Sequence, residues 1–152
     1  MPEVVISDTS CIIILEKIGA LHLLHKLYLK LFVTPEVAHE FGKELPPWIE
    51  IKKVANPNYL LLLESQMDLG EASSIALALE SDKVVLLLLD DLKARKVAKR
   101  LGLHFTGTLG VIHKAKHEGY IENVKPFLLS LKETNFRIAD KVLNELLRLN
   151  GE

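Results

Sequence analysis

Cysteine is almost missing from this 152-residue chain: Cys11 stands alone. One thiol cannot form an internal disulfide, and its isolation rules out every cysteine-rich zinc pattern. Long apolar runs are missing too. The strongest, Ile12–Leu15, Leu60–Leu63 and Val84–Leu89, fall far short of the roughly 20 residues that carry a helix across a bilayer. No membrane partner is expected. A secretory leader is not expected either, because an acid, Glu3, precedes a strand-like run. No stretch reads as disordered, repeated or low in complexity. An excess of positive charge is the last absence. A formal net charge of −1 excludes a protein that coats nucleic acid by bulk electrostatics. It leaves room for an enzyme that grips a few phosphates with a local basic patch. What remains is a chain with 49% hydrophobic and 26% charged residues, a globular balance at a length suited to a single domain over residues 1–152. The cytoplasm is the expected compartment.

The pattern of elements is alternating. Val4–Ser7 reads as a short buried strand that ends at Asp8-Thr9-Ser10, residues suited to a turn or helix cap. Ile12–Leu29 has helical period but is interrupted by Gly19, which predicts two short helices. Leu31–Val33 makes a second strand. Thr34 and Pro35 then open a helix that Gly42 closes. Ile49–Val54 alternates like an edge strand. Asp68 caps a helix running to about Ser81, with Ala72, Ile75, Ala76 and Leu79 on one face. Lys83–Leu89 carries six aliphatics in a row, as a central strand buried on both faces would. The next helix places Ala94, Val97, Ala98 and Leu101 inward and Arg95, Lys96, Lys99 and Arg100 outward. Leu103–Phe105 is a brief strand, and helices follow at about Leu109–Glu118, Val124–Lys132 and Ile138–Leu149. Strands alternating with helices predict an α/β fold with a mainly parallel sheet.

In such a sheet all parallel strands end at one edge, and ligands collect beyond those carboxyl ends. Acids cluster there in this sequence. Asp8 follows the first strand, and Asp90 and Asp91 follow the central one. Glu71 lies in the first turn of a helix that precedes the central strand and runs antiparallel to it, so its N-terminus lies near that edge. Glu40 is the weaker member, because its helix must tilt inward to deliver it. Thr106 and Thr108 follow the last strand and offer hydroxyls nearby. Each position also has a plain structural explanation. Asp8 can cap a helix, Glu71 stands three residues after Asp68 as in a capping box, and Glu40 is spaced with Glu36 and Glu44 on a solvated acidic face. Asp90-Asp91 and Thr106-Gly107-Thr108 can form turns and caps. Together these readings leave the shared address unexplained.

Clustered carboxylates repel one another and raise each other's pKa unless a cation shares the site. Hard oxygen ligands, with no cysteine or histidine among them, point to Mg²⁺ or Mn²⁺. Such a site suits in-line phosphodiester cleavage, with water as the nucleophile. The six histidines show no zinc-motif spacing; His113 and His117 are four apart but lack the HExxH pattern.

The residues now resemble a known family. DTS at Asp8-Thr9-Ser10, LGEASSIALA at Leu69–Ala78, LLLLDDLKAR at Leu86–Arg95 and TGTLGVI at Thr106–Ile112 resemble PIN domains. The nearest likeness is to a compact prokaryotic branch of predicted nucleic-acid-binding proteins related to toxin ribonucleases. It extends to FRI at Phe136–Ile138 and the terminal Gly151-Glu152. The resemblance implies a three-layer α/β/α fold and a metal-dependent endoribonuclease. It implies an RNA substrate, an antitoxin protein as candidate partner, and a homodimer. It assigns Asp8, Glu40, Glu71 and one aspartate of the Asp90-Asp91 pair as the acids of the site, with position along the strand favouring Asp91. Asp8, Glu71, Asp90 and Asp91 stand as metal ligands, Ser10 and Thr108 as supporting hydroxyls, the latter orienting a water. Arg95, Lys96 and Lys99 are the candidate nucleic-acid contacts. Two departures stand out: Glu71 where toxin ribonucleases often carry Asp, and Cys11 where this branch often has proline.

Other chemistries fit less well. A haloacid-dehalogenase-type phosphatase needs a second Asp where this chain has Ser10, and a receiver domain needs its acidic pair after the first strand. No GxxxxGK[ST] motif exists, so P-loop chemistry is excluded. The alternative that survives is a catalytically silent binding module of the same fold.

Overall fold

Parallel strands cannot be joined by tight turns, and each strand here is followed by one or more helices that carry the chain back. The computed structural model describes Pro2 and residues 4–152; Glu3, the acid weighed above against a leader, lies outside the described residues. Strand β1 (Val4–Ser7) leads into α1 (Thr9–Lys17) and α2 (His22–Leu27), and β2 (Leu31–Val33) into α3 (Pro35–Phe41). Strand β3 (Ile49–Ile51) leads into α4 (Pro57–Glu64) and α5 (Leu69–Glu80), and β4 (Val85–Leu88) into α6 (Leu92–Arg100). After β5 (His104–Thr106) come α7 (Thr108–His117), α8 (Lys125–Lys132) and α9 (Asp140–Leu149). The sheet is parallel throughout, in the order β3-β2-β1-β4-β5.

Side chains on a strand alternate between faces, and the core divides accordingly. Val5, Leu31, Val33 and Leu88 face a layer built from α1, α2, α7 and α8, where Ile12, Leu24, Ile112 and Leu128 are buried. Ile6, Val85, Leu87 and Leu89 face the opposite layer, against Ala72, Ile75 and Ala76 of α5 and Ala94 and Val97 of α6. The result is a three-layer α/β/α architecture.

The order of strands fixes where a site can form. From β1 the chain moves outward to β2 and β3, then returns to the other side of β1 for β4 and β5. The direction reverses between β1 and β4, and the crevice beyond their carboxyl ends is the topological switch point. Their register runs from Val4 opposite Val85 to Ser7 opposite Leu88. Asp8 therefore emerges level with Leu89, and its amide bonds Leu88 O at 3.0 Å.

Several expectations are corrected. The middle strand is β1; β4 is interior but flanks it, and Val84 at its entrance is 59% exposed. Only Ile49–Ile51 of the expected Ile49–Val54 strand pairs, because the chain must leave the sheet edge to start α4. Helix α4 has no counterpart among the expected elements: its Leu61 and Leu62 are exposed, so its sequence lacks a helical apolar stripe. Helix α5 is buried on nearly every side rather than along one face. Leu101, placed inward by periodicity, is largely exposed at the end of α6. No helix among the described residues is long and apolar enough to cross a membrane.

These packing differences are measurable. Leu87→Ala, at a fully buried position, should cost about 2–5 kcal/mol of stability through poorer packing and the cavity left behind. Val84→Ala, three residues earlier in the same aliphatic run, should cost less than about 0.5 kcal/mol. Denaturant midpoints of the two variants check this, and similar losses at both positions would contradict the strand's placement.

Candidate active site

Asp8 leaves β1 and caps α1 in one step. Its Oδ1 accepts from the Cys11 amide at 3.0 Å, satisfying one of the helix's free N–H groups. Its Oδ2 is buried and has no hydrogen-bond partner among the described residues. The residue is 0% exposed. A cap uses one carboxylate oxygen, so the second is left over. Burial pushes the Asp8 carboxyl up to about 7; the Cys11 amide and the nearby Asp90 amide oppose this, while the charge of Asp90 adds to it. Cys11 contributes through its backbone amide, while its thiol is fully buried.

Glu71 enters from α5. The helix starts at the Asp68 cap, whose Oδ1 accepts from the Glu71 amide at 3.1 Å. Glu71 is buried, and its carboxyl is pushed up to about 8, first by burial and next by the Asp68 carboxylate, with Asp91 and Asp8 adding charge. Asp68 is thus both cap and neighbouring acid, a second role that its reading as a cap concealed.

Glu40 reaches this edge by an unforeseen support. Thr9 donates to Glu40 Oε1 at 2.9 Å, and that oxygen rests over Gly70. A Cβ at Gly70 would lie 2.1 Å from Glu40 Oε1 and 2.7 Å from Thr9 Oγ1. Glycine in the LGE segment therefore makes room for the carboxylate. Glu36, one turn earlier, also has a buried oxygen without a partner, but this residue lies in the first turn of α3, where the helix dipole favours an acid.

The two aspartates after β4 divide. Asp90 is committed to α7: its Oδ1 accepts from the Thr108 amide at 2.8 Å and its Oδ2 from the Thr108 hydroxyl at 2.6 Å. Asp91 is exposed and caps α6, its Oδ2 accepting from the Ala94 amide at 2.8 Å. Thr108 is buried against Asp90, whereas the Thr106 hydroxyl packs over Gly110 instead of facing the acids. Ser10, expected beside the first acid, is exposed on the first turn of α1. Arg95 bends back to donate from Nε to Leu89 O at 2.6 Å, with its guanidinium over Phe105 and against Gly107, beside Asp90. Lys96 and Lys99 lie exposed further along α6.

The donor chemistry fits a hard divalent cation: carboxylate oxygens only, one of them buried and unpartnered. The acids are not drawn into one coordination shell, however. Among the described residues, no three His, Cys, Asp or Glu stand as a group that could hold a metal ion.

Uncompensated buried acids leave a thermodynamic trace. The folded-state values of Asp8 and Glu71 are raised above their ordinary 3.8 and 4.5. The folded state then binds more protons than the unfolded one, so these groups stabilise below about pH 4 and lose that contribution as pH rises through about 7 to 8. Without divalent ions, the thermal midpoint should fall from about pH 5 to pH 8. Asp8→Asn should flatten the fall. A midpoint that rises over this window in both proteins would contradict the assignment.

The family described as DUF3368, PIN domain, matches residues 4–152. No curated protein and no solved structure matches the chain. PIN domains are generally nucleases that use divalent metal ions, a character in keeping with carboxylates gathered at the switch point of a parallel sheet. The match covers nearly every residue, and the chain belongs to the PIN-domain family.

Proposed function

We propose that this chain is a metal-dependent endoribonuclease that hydrolyses RNA phosphodiester bonds, acting as a single PIN domain over residues 1–152. The observation that carries the reading is Asp8: a fully buried carboxylate with one oxygen engaged in a helix cap and the other without a partner among the described residues. Asp8, Glu71 and Asp91 would hold Mg²⁺ or Mn²⁺. Asp91 is preferred over Asp90 because both oxygens of Asp90 already accept from Thr108, whereas one oxygen of Asp91 is uncommitted. A bound cation would supply charge neutralisation and Lewis-acid polarisation for attack on phosphorus. Glu40, held by Thr9 at the rim, adds negative charge on the α3 side. Thr108 fixes Asp90 and so the start of α7. Ser10, exposed on the first turn of α1, stands as a supporting hydroxyl beside the first acid.

Substrate grip falls to α6. Lys96 and Lys99 present their ammonium groups to solvent on the helix that Asp91 begins, and Arg95 sets the turn between them and the acids. RNA over DNA, a toxin role with an antitoxin protein as partner and a homodimer are parts of the same proposal that rest on the resemblance, and a cytoplasmic location is a part that rests on composition. A second reading, a catalytically silent PIN-fold module, draws on a specific observation: the acids stand outside coordinating arrangement among the described residues.

Panels of RNA and DNA incubated with Mg²⁺, Mn²⁺ or EDTA decide between the two. The nuclease reading expects RNA cleavage that EDTA abolishes and that falls by about 100-fold or more in Asp8→Asn and Glu71→Gln. RNA binding without cleavage in any metal, equal in wild type and variants, would establish the silent module.

Neutralising Lys96 and Lys99 should weaken RNA binding and flatten its dependence on salt by roughly one unit of slope for each phosphate no longer neutralised. Affinity for Mn²⁺ should stay the same. An unchanged slope in the double variant would return α6 to an ordinary solvated face.

A further inference from the structure

Acids that repel one another must be held at their spacing by something other than each other. Asp8, Glu40 and Glu71 come from β1, α3 and α5, three elements far apart in the chain. Where those elements meet beneath the acids, the junction is made by hydroxyls. Ser7, Thr34, Ser73 and Ser74 are each 0% exposed.

The donors and acceptors can be assigned in order. Thr34 Oγ1 accepts from the Val37 amide at 3.2 Å, capping the helix that carries Glu40. Ser73 donates to Gly70 O at 3.1 Å, which leaves Thr34 as the donor in its 2.7 Å hydrogen bond with Ser73 Oγ. Ser74 donates to the same Gly70 carbonyl at 2.7 Å and lies 3.5 Å from Ser7 O. Ser7 in turn donates to Asp8 O at 3.0 Å. Serines inside helices often bond back to carbonyls three or four residues earlier, so the Gly70 bonds alone would be ordinary. One feature goes beyond that habit: the Thr34–Ser73 bond joins two helices 39 positions apart. It does so three residues past Gly70, which precedes Glu71 and lies under Glu40. Gly70 is therefore clamped from below through its carbonyl, while its Cα side receives Glu40 and Thr9.

We propose that Thr34, Ser73 and Ser74 are positioning residues: a buried hydroxyl relay that sets the distance between the acids of α3 and α5, with Ser74 resting against β1. The proposal rests on the metal-site reading above. None of the three touches substrate or cation. They act through the first turn of α5. Buried hydrogen bonds of this kind suit the task, because an unpaired hydroxyl there is costly and only one arrangement satisfies all of them.

The test is Mn²⁺ affinity by calorimetry on the intact chain, with thermal midpoints recorded beside it. Ser73→Ala removes the bridging hydroxyl while favouring the helix, so folding is retained. Affinity should fall about tenfold or more, as when the groups that orient a metal's ligands are removed. Thr34→Val should behave alike, and Thr34→Ser, which keeps the hydroxyl, should bind as wild type does. In a Glu71→Gln background, Ser73→Ala should have little further effect, since both changes act on the same ligand. Wild-type affinity in folded Ser73→Ala and Thr34→Val, whatever their midpoints, would overturn the relay. Should Thr34→Val fail to fold, Ser73→Ala decides alone. No Mn²⁺ binding by the wild type would overturn the metal-site reading itself, and the relay with it.

Discussion

A carboxylate sealed from water is tolerated when its lone pairs find partners, and among the described residues Asp8 has a partner for one oxygen only. Much of the surrounding structure can be read as the means of keeping it there. Strand β1 carries it to the middle of the sheet, the register with β4 sets it one residue below the Asp90-Asp91 pair, and α1 takes it as a cap. Burial then raises its pKa, and burial together with the neighbouring Asp68 carboxylate raises that of Glu71. Such a cluster is unfavourable as it stands. Its cost is offset when either protons or a cation enter it.

Caps and acids are the same residues at this site. Asp8, Asp68 and Asp91 each hold the first turn of a helix through one oxygen. That double use follows from geometry. In a parallel α/β sheet the helices begin where strands end, so the carboxylates that satisfy helix N-termini are delivered to the ligand-binding edge. Structural and chemical explanations of these residues are therefore compatible, and a cap at this edge says nothing against a further role. The helix dipoles that converge there favour negative charge and moderate the repulsion among the acids.

Much of the architecture was legible in the sequence because it depends on local rules. Val4–Ser7 and Leu31–Val33 stand where alternation and turn residues placed them, and Thr34, Gly42 and Asp68 bound their helices as caps. What escaped depends on tertiary packing. Helix α4 shows exposed leucines on its outer side, so no amphipathic stripe announced it. The all-round burial of α5 follows from its being covered by α3, α4 and α6 as well as the sheet. At the site, the positions of Asp8, Glu71 and the Asp90-Asp91 pair at one edge followed from strand polarity. The support of Glu40 by Thr9 over Gly70, the commitment of Asp90 to Thr108 and the turn of Arg95 back to Leu89 did not, because each depends on side chains meeting across elements. Glycine was the available clue: Gly70 and Gly107 sit where a Cβ would strike the very side chains in question.

The central claim is that the free oxygen of Asp8 is a cation ligand. Anomalous diffraction from crystals grown with Mn²⁺ tests it most directly. The account predicts a manganese peak within about 2.0–2.6 Å of Asp8 Oδ2, with Glu71 and Asp91 drawn toward it. Crystals that bind manganese elsewhere, or show no peak at Asp8 at saturating Mn²⁺, would contradict it.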